Sequence, residues 1–229
     1  VAEQNLATVA SGLAAMGKIP FLTSYAMFSP GRNWEQIRTT ICYNDRNVKI
    51  VGSHAGVSVG PDGGTHQAIE DIAITRVIPR MTVIVPADAV EAKQATLAIA
   101  KHVGPVYLRL AREKSPVMTT PDSPFVIGQA NVLIAPEKPS VAIIACGQLV
   151  YHALVASRLL AKEKIMVTVV NSHTIKPLDQ KTILAEAKRA GKVVTVEEHQ
   201  LAGGLGSAVA ELLAAHNPVP IEFVAVRDE

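Results

Sequence analysis

Aromatic residues, cysteines and long apolar runs are scarce in this sequence. Phe, Trp and Tyr make up 4% of its 229 residues, and a mainly aliphatic composition is typical of parallel α/β sheets rather than β-sandwiches. The two cysteines, Cys42 and Cys146, lack metal-type or redox-type spacing, so we expect core residues of a reducing compartment. Because no apolar run is long enough to span a bilayer and no signal peptide is visible, the sequence predicts a soluble cytoplasmic protein.

Charge and motif content argue against several further classes. The net charge is +2, with acidic and basic residues interspersed, so nothing indicates binding to nucleic acid or to a membrane surface. No G-x-G-x-x-G follows the first strand of either half, and a dinucleotide-binding fold is therefore not supported. The sequence also contains no Walker motif, zinc-type spacing or G-x-S-x-G elbow.

The order of apolar segments predicts an α/β fold with two domains in series, each with a mostly parallel sheet flanked by helices. The first domain is expected at residues 1–114. Asp88, with Glu91 three residues later, predicts the N-cap of its last helix. The predicted helices are at 3–16, 34–41, 65–78 and 88–102, and the predicted strands are at 21–28, 48–51, 82–85 and 106–110.

Residues 115–139 are predicted to be a linker, because five prolines interrupt every periodic pattern there. A short strand at 125–127 is expected within it. The second domain, at 140–229, is predicted to have strands at 141–145, 166–170, 193–196 and 221–226, and helices at 149–162, 179–190 and 205–216. Continuous apolar strands that alternate with helices imply parallel pairing through right-handed crossovers.

The segment from Gly52 to Glu70 is rich in glycine and polar side chains. It holds five glycines, which suit places where the backbone turns tightly or approaches a ligand closely. His54, Asp62 and His66 add hydrogen-bonding groups suited to a polyhydroxylated or phosphorylated small molecule. A mobile surface loop with inactive histidines is an equally good interpretation of this segment taken alone.

Two motifs of the second half have competing interpretations. The amides of Gly203-Gly204-Leu205-Gly206 lie between a strand and a helix, where they could hold an anion, but a tight turn explains them better. Glu197-Glu198-His199 ends a strand, and ligands favour the carboxyl ends of parallel strands. An exposed charged strand end or an interface is the preferred explanation of that tripeptide.

Several motifs together resemble a known family. In order, they are V-A-E-Q-N-L, Y-A-M-F, S-V-G-P-D-G-G-T-H-Q, P-A-D, L-A-R-E, T-I-K-P-L-D and E-E-H-Q-L-A-G-G-L-G-S. The first five look like the pyrimidine-binding domain of transketolase, and the last two look like the C-terminal domain of the same family. The resemblance covers essentially the whole chain and implies thiamine diphosphate chemistry, with transfer of a two-carbon ketol unit between ketose and aldose phosphates.

The resemblance implies a role in cofactor binding for three residues. Glu3 matches the carboxyl group that hydrogen-bonds a ring nitrogen of the cofactor's aminopyrimidine and takes part in catalysis. That group must donate a proton, so we expect burial to raise the pKa of Glu3. Tyr25 and Phe28 match aromatics that wall the pyrimidine, although their spacing also fits core residues. What looks like one inserted residue at 30–32 prevents any role from being carried onto Arg32.

The resemblance implies substrate contacts for four residues. Asp62 and His66 match groups that contact the donor ketose and the cofactor-bound intermediate, so His66 is also expected to be catalytic. His54 and Arg112 match residues that bind the sugar phosphate, and an Arg at a strand's carboxyl end suits bidentate phosphate recognition. A structural ion pair is the alternative explanation of Arg112.

The family's diphosphate-binding domain, with its G-D-G and Mg²⁺-binding Asn, has no counterpart here. The resemblance therefore implies the C-terminal subunit of a split transketolase, whose separate N-terminal subunit would hold the Mg²⁺, with two copies of each chain. The absence of an initial Met and of the family's first strand and helix suggests that flanking segments are missing. Alternatives are a 1-deoxyxylulose-5-phosphate synthase, a 2-oxo acid dehydrogenase beta subunit and a non-catalytic binding subunit.

Overall fold

The computed structural model describes residues 2–228, which form two five-stranded sheets. The first sheet has the order β1-β2-β4-β3-β8 and the second the order β10-β9-β6-β7-β5. The strands are β1 (Phe21–Tyr25), β2 (Lys49–Ser53), β3 (Thr82–Ile84), β4 (Val106–Arg109), β5 (Asn131–Ile134), β6 (Val141–Ala145), β7 (Val167–Asn171), β8 (Thr174–Lys176), β9 (Val193–Gln200) and β10 (Ile221–Val226).

Helices flank both sheets, as the apolar periodicity predicts. Helix α2 is short and continues directly into a π-helical segment, Ile37–Cys42, whose Ile37 and Ile41 are buried. The α-helices are α1 (Glu3–Ala15), α2 (Trp34–Gln36), α3 (Asp71–Arg76), α4 (Ala89–Lys101), α5 (Leu149–Lys162), α6 (Gln180–Ala190) and α7 (Leu205–His216). No helix within residues 2–228 is both long and apolar enough to cross a lipid bilayer.

Each sheet has one antiparallel edge strand, and neither edge strand was predicted. Strand β8 belongs to the second half of the sequence but pairs with β3 of the first sheet, with Ile84 opposite Thr174. Strand β5 lies in the predicted linker and pairs with β7. All the other strand pairs are parallel, so the predicted α/β class is confirmed. Through β8, the second half of the chain contributes one strand to the first sheet.

Two local predictions differ from the structure. The strand at 125–127 was wrong, because Phe125 and Ile127 pack as side chains against the first domain's core and their backbone does not pair. The helix predicted from residue 65 begins only at Asp71. Residues before Asp71 are not helical because Ala68 forms a parallel β-bridge with Ala55.

The predicted N-cap of α4 is confirmed, with a different partner for Glu91. The Asp88 carboxylate accepts the Glu91 N–H at 2.9 Å. The Glu91 carboxylate accepts the Ala87 N–H and an N–H of Asn171, which lies at the end of β7. Burial raises the pKa of Glu91 to about 7. Helix α4 is therefore tied to the second sheet by a buried carboxyl group.

The carboxyl ends of the two sheets abut each other. The Gly147 N–H, just after β6, donates to the Val85 carbonyl oxygen, just after β3, at 3.2 Å. The Val85 N–H donates to the carbonyl oxygen of His173, just after β7, at 2.8 Å. Both cysteines are buried, as predicted, and burial raises the pKa of Cys42 to about 12.

Candidate active site at the carboxyl ends of the first sheet

Four of the predicted site residues form one aromatic cluster beyond β1 and β2. The Tyr25 ring stacks on His54, with centroids 3.9 Å apart and planes 11° apart. Phe28 meets His66 edge-on at 5.2 Å. His54 has a φ of 57°, an unfavourable angle for a residue with a Cβ. The two loops that follow neighbouring parallel strands thus bring the four rings together, as expected at a sheet's carboxyl edge.

Glu3 is connected to this cluster through Arg32. Glu3 begins helix α1 and is 6% exposed. The Arg32 guanidinium donates to the Glu3 carboxylate at 3.0 Å, and its carbon lies 4.8 Å from the centre of the Phe28 ring. Arg32, which was given no role from the sequence, therefore links the predicted catalytic carboxyl group to the predicted aromatic wall.

The pKa of Glu3 shifts in the direction opposite to the prediction. It is lowered, because the Glu3 backbone N–H and the Arg32 guanidinium both favour the ionised form. Burial raises it, but by less than the donors lower it. The prediction considered burial alone and did not include these hydrogen-bond donors. In this chain the carboxyl group is therefore ionised at neutral pH.

Asn33 is a further buried polar residue beside Glu3. Its side-chain N–H groups donate to the Glu3 carbonyl oxygen at 2.9 Å and to the Ser29 hydroxyl at 3.1 Å. Its side-chain oxygen is buried and has no hydrogen-bond partner within residues 2–228. Buried polar atoms rarely stay unpaired. This orphaned acceptor fits a site completed by a bound molecule that donates hydrogen bonds.

Asp62 and Arg112 form a second part of the site. The Arg112 guanidinium lies 3.5 Å from the Asp62 carboxylate and donates to the Val59 carbonyl oxygen. The side chains of Arg112 and Asp62 remain 31% and 28% exposed. The alternative explanation of Arg112 as an ion-pairing residue is thus seen in the structure, while part of its guanidinium stays available to an anion.

The Gly/His segment is held by hydrogen bonds rather than lying loose on the surface. The Gly56 N–H donates to the Ala68 carbonyl oxygen at 2.8 Å. Residues Val57–Asp62 form two short 3₁₀ turns that meet at a kink at Gly60, and the Ser58 N–H donates to the Glu198 carboxylate of β9. Gly56 has a φ of 89°, and a Cβ there would overlap that carboxyl group, so glycine is required at this position.

The possible anion site at Gly203–Gly206 is occupied by the chain itself. The Glu197 carboxylate accepts the N–H groups of Leu205 and Gly206, both at 2.7 Å. Burial raises the pKa of Glu197, and these amides oppose that effect. Glu197, Glu198 and His199 are all buried. The exposed strand end expected for this tripeptide is therefore wrong, whereas the expected interface is found, because Glu198 and His199 accept N–H groups of the first domain.

A support beneath the site was missed because its members are far apart in the sequence. Asp71 accepts the Tyr107 hydroxyl at 2.6 Å and the Arg109 guanidinium at 2.8 Å. Arg109 also donates to the backbone oxygens of Glu198 and Ala68. No role was predicted for Arg109 from the sequence. Its position at the end of an apolar strand was the one available signal, because a buried cation requires a partner.

Comparison with known families gives two matches that together cover nearly the whole chain. The model of the transketolase pyrimidine binding domain matches residues 1–117, and that of the transketolase C-terminal domain matches residues 128–229. The chain belongs to the transketolase family. The predicted resemblance is thereby confirmed, and the two family segments coincide with the two sheets except for the exchanged strand β8.

Individual relatives agree with this assignment. The chain is 43% identical to the 6-deoxy-6-sulfo-D-fructose transketolase subunit SqwH of Clostridium sp. (strain MSTE9), over 100% of its own length and 70% of that protein. It is 37% identical to one subunit of the apulose-4-phosphate transketolase of Phocaeicola vulgatus, over 100% of this chain and 73% of that protein. The chain is thus a C-terminal part of a transketolase, comprising the pyrimidine-binding and C-terminal domains.

A solved structure shares the whole fold. A split gene transketolase, described as an inactive beta4 tetramer, superposes with a TM-score of 0.93 at 45% identity, covering 100% of this chain and 73% of that one. Membership of the family implies thiamine diphosphate as the cofactor. The carboxyl group of Glu3, the faces of Tyr25 and Phe28 and the orphaned oxygen of Asn33 fit its aminopyrimidine half, which has hydrogen-bonding nitrogens and a flat ring.

Proposed function

We propose that this chain is the C-terminal subunit of a two-chain transketolase that transfers a two-carbon ketol unit from a ketose phosphate to an aldose phosphate. The observation that carries the proposal is the convergence of Glu3, through Arg32, with Phe28 and the two histidines of one loop. When bound, thiamine diphosphate supplies the nucleophilic carbon that takes up the two-carbon unit.

Glu3, Tyr25 and Phe28 would hold the pyrimidine half of the cofactor. For Glu3 to donate a proton to a ring nitrogen, its carboxyl group must be protonated, whereas Arg32 at 3.0 Å favours the ionised form. The proposal therefore requires that the contact between Arg32 and Glu3 is broken or compensated in the assembled enzyme. Arg32 is half exposed, so its side chain has room to move away.

His54, Asp62, His66 and Arg112 would bind the sugar phosphate, with His66 also acting on the cofactor-bound unit. The Tyr25 ring keeps His54 flat against the wall of the cluster, while His66 stands edge-on to Phe28. The partly exposed guanidinium of Arg112 offers N–H groups to an anion. Because a guanidinium binds sulfonate and phosphate in the same way, a sulfonated ketose is a further candidate donor.

The proposed partner is a separate N-terminal subunit that holds the diphosphate of the cofactor and Mg²⁺. The relatives from Clostridium and Phocaeicola are both named as subunits, and the related beta4 tetramer is described as inactive. We propose two copies of each chain in a cytoplasmic complex. The division into domains at 1–114 and 140–229 with a linker between them is kept as part of this proposal.

Reconstitution tests the proposal. The chain is mixed with its N-terminal partner, thiamine diphosphate, Mg²⁺, ribose 5-phosphate and either xylulose 5-phosphate or 6-deoxy-6-sulfofructose as the donor. Formation of sedoheptulose 7-phosphate is expected with at least one donor and only when both subunits are present. No product with either donor would overturn the transferase assignment, and consumption of pyruvate would favour the synthase alternative.

The subunit composition is measured separately. Native mass spectrometry of the mixture is expected to show a particle with two copies of each chain. A mixture in which the two chains stay apart would contradict the proposed partner, whatever the activity assay shows.

A further inference from the structure

A buried carboxylate of the second sheet supports the loop that carries the proposed substrate residues. Glu198 lies near the end of β9 and is 8% exposed. One of its carboxylate oxygens accepts the Ser58 N–H, and the other accepts a side-chain N–H of Gln148. Gln148 also lies 2.8 Å from the Ser58 hydroxyl. The loop is thus joined to the second domain through its backbone and a side chain.

The same loop is held from its own domain by Arg112. The Arg112 guanidinium donates to the Val59 carbonyl oxygen, the next residue along, and lies 3.5 Å from the Asp62 carboxylate. The Val57–Asp62 segment therefore has a support from each domain, at the adjacent residues Ser58 and Val59. Within the first domain, Gln67 also donates to the Val57 carbonyl oxygen at 3.2 Å, so Glu198 and Gln148 supply the support from the second domain, and removing it leaves the segment held from its own domain.

The contact of Glu198 with the loop is close and specific. Glycine at position 56, with its positive φ, lets the carboxyl group lie directly against the backbone. A carboxylate that accepts N–H groups forms stronger hydrogen bonds than a neutral acceptor. Arg109 donates to the Glu198 carbonyl oxygen at 2.8 Å, which fixes the backbone from which the side chain extends.

We propose that Glu198 is a positioning residue for binding of the donor ketose and that Gln148 assists it. The two side chains fix the Val57–Asp62 segment so that Asp62 and Arg112 are correctly placed for the ketose. This inference rests on the proposed function. It gives the C-terminal domain a part in the reaction, because its residues hold a loop of the pyrimidine-binding domain in place without touching the substrate.

Amide hydrogen exchange of the full chain tests the support itself. In Glu198→Ala the Ser58 amide should exchange about 10- to 100-fold faster, as expected for the loss of a hydrogen bond to a charged group. Amides of β2 and β6 should not change. The matched control is Glu222→Ala on the neighbouring strand β10, whose side chain is 72% exposed and which should leave the Ser58 amide unaffected.

Kinetics of the reconstituted complex test its consequence. Glu198→Ala should raise the KM of the donor ketose about tenfold or more, while the Kd of thiamine diphosphate stays unchanged. Glu198→Gln keeps an oxygen that can accept the Ser58 N–H, so it should recover much of the donor KM. Unchanged exchange at Ser58, or an unchanged donor KM, would overturn the inference.

A general structural role gives a different pattern. If Glu198→Ala weakened donor binding, cofactor binding and the melting temperature together, and Glu198→Gln restored none of them, the positioning role would be wrong. Failure of the proposed function is distinguishable, since it would show as an inactive wild-type complex. Even with an inactive wild-type complex, hydrogen exchange at the Ser58 amide would still show whether Glu198 holds the loop.

Discussion

The two sheets are built in the same way but use the carboxyl ends of their strands differently. The loops after β1 and β2 carry rings and charged groups that converge on one partly exposed cluster. At the end of β9, Glu197 and Glu198 are fully engaged by protein donors. The first sheet therefore leaves polar groups partly exposed, as a ligand site requires, whereas the second uses its own to hold the chain together.

This difference shows that a position at a strand's carboxyl end does not by itself identify a ligand site. Glu197 and Glu3 are both buried carboxyl groups that lie at the start of a helix. Glu197 accepts two helix amides, which leaves nothing for a ligand to satisfy. Glu3 lies beside an orphaned acceptor on Asn33 and an aromatic face. The distinction lies in which donors surround each carboxyl group.

The largest effect of a substitution is expected at Glu3, the carboxyl group proposed to act on a ligand. Glu3→Gln should lower the transfer rate of the reconstituted enzyme about 10²–10⁴-fold, because it removes a proposed acid–base group. The melting temperature of the chain should change little. Glu35→Gln, an exposed carboxyl group on α2, is the control and should keep full activity. A fully active Glu3→Gln enzyme would remove the catalytic assignment.

The buried ion pair of Asp71 and Arg109 should show the opposite behaviour to Glu3, because its loss should mainly lower stability. Asp71→Asn keeps the shape of the side chain but leaves the Arg109 guanidinium without its counter-charge. We expect unfolding in denaturant to become easier by about 3–5 kcal/mol. Asp45→Asn, which removes the charge from an exposed pair with Arg80, should cost about 0–1 kcal/mol. Equal effects of the two substitutions would show that the buried pair has no special role.

The Glu91 contact between the domains should make stability depend on pH. Its pKa is raised from 4.5 to about 7 in the folded chain, so the folded state binds the proton more tightly than the unfolded state. The contribution of Glu91 to the free energy of unfolding is fully present below about pH 4.5. It is lost as the pH rises through 7, which lowers the free energy of unfolding by about 3 kcal/mol.

Glu91→Gln provides the check on that pH dependence. The variant cannot titrate, so the free energy of unfolding should fall less between pH 5 and pH 8 than in the wild type. The buried oxygen of Asn171 has no partner within the described chain, so it can accept an N–H of the new amide. A pH dependence identical to that of the wild type would show that Glu91 is not the group responsible.

The smallest effect is expected at the start of α4. Asp88→Ala removes the cap of that helix and the acceptor for the N–H groups of Met118 and Thr119. The expected loss is about 1–2 kcal/mol in the free energy of unfolding, as for other N-caps. Asp122→Ala, an exposed position in the same linker region, should be neutral. If both variants melted together with the wild type, the cap would contribute nothing measurable.

Much of the fold was predictable because it depends on local patterns. Uninterrupted apolar runs identified the parallel strands, and Asp88 with Glu91 identified a helix start. The antiparallel strand β8 was not predictable in the same way. Three residues of the second half, Thr174–Lys176, pair with the first sheet, and no local pattern states which sheet an edge strand joins.

The site was predictable to a different extent. Family motifs pointed to Tyr25, Phe28, His54 and His66, and the structure brings these four together. The predicted direction of the Glu3 pKa shift was wrong because it depends on Arg32, which lies 29 residues away in the sequence and folds back onto α1. The roles proposed for Asp62 and Arg112 stay predictions, although the two residues do lie side by side.

The sequence by itself determined the α/β class, the order of the parallel strands and the family, because periodicity and short motifs are properties of neighbouring residues. Tertiary structure alone decided which donor reaches which carboxylate. Ser58 and Glu198 are 140 residues apart, and Arg109 and Asp71 are 38 apart. Hydrogen bonds act over a few ångströms and depend on direction, so such pairs exist only after the sheets have packed together.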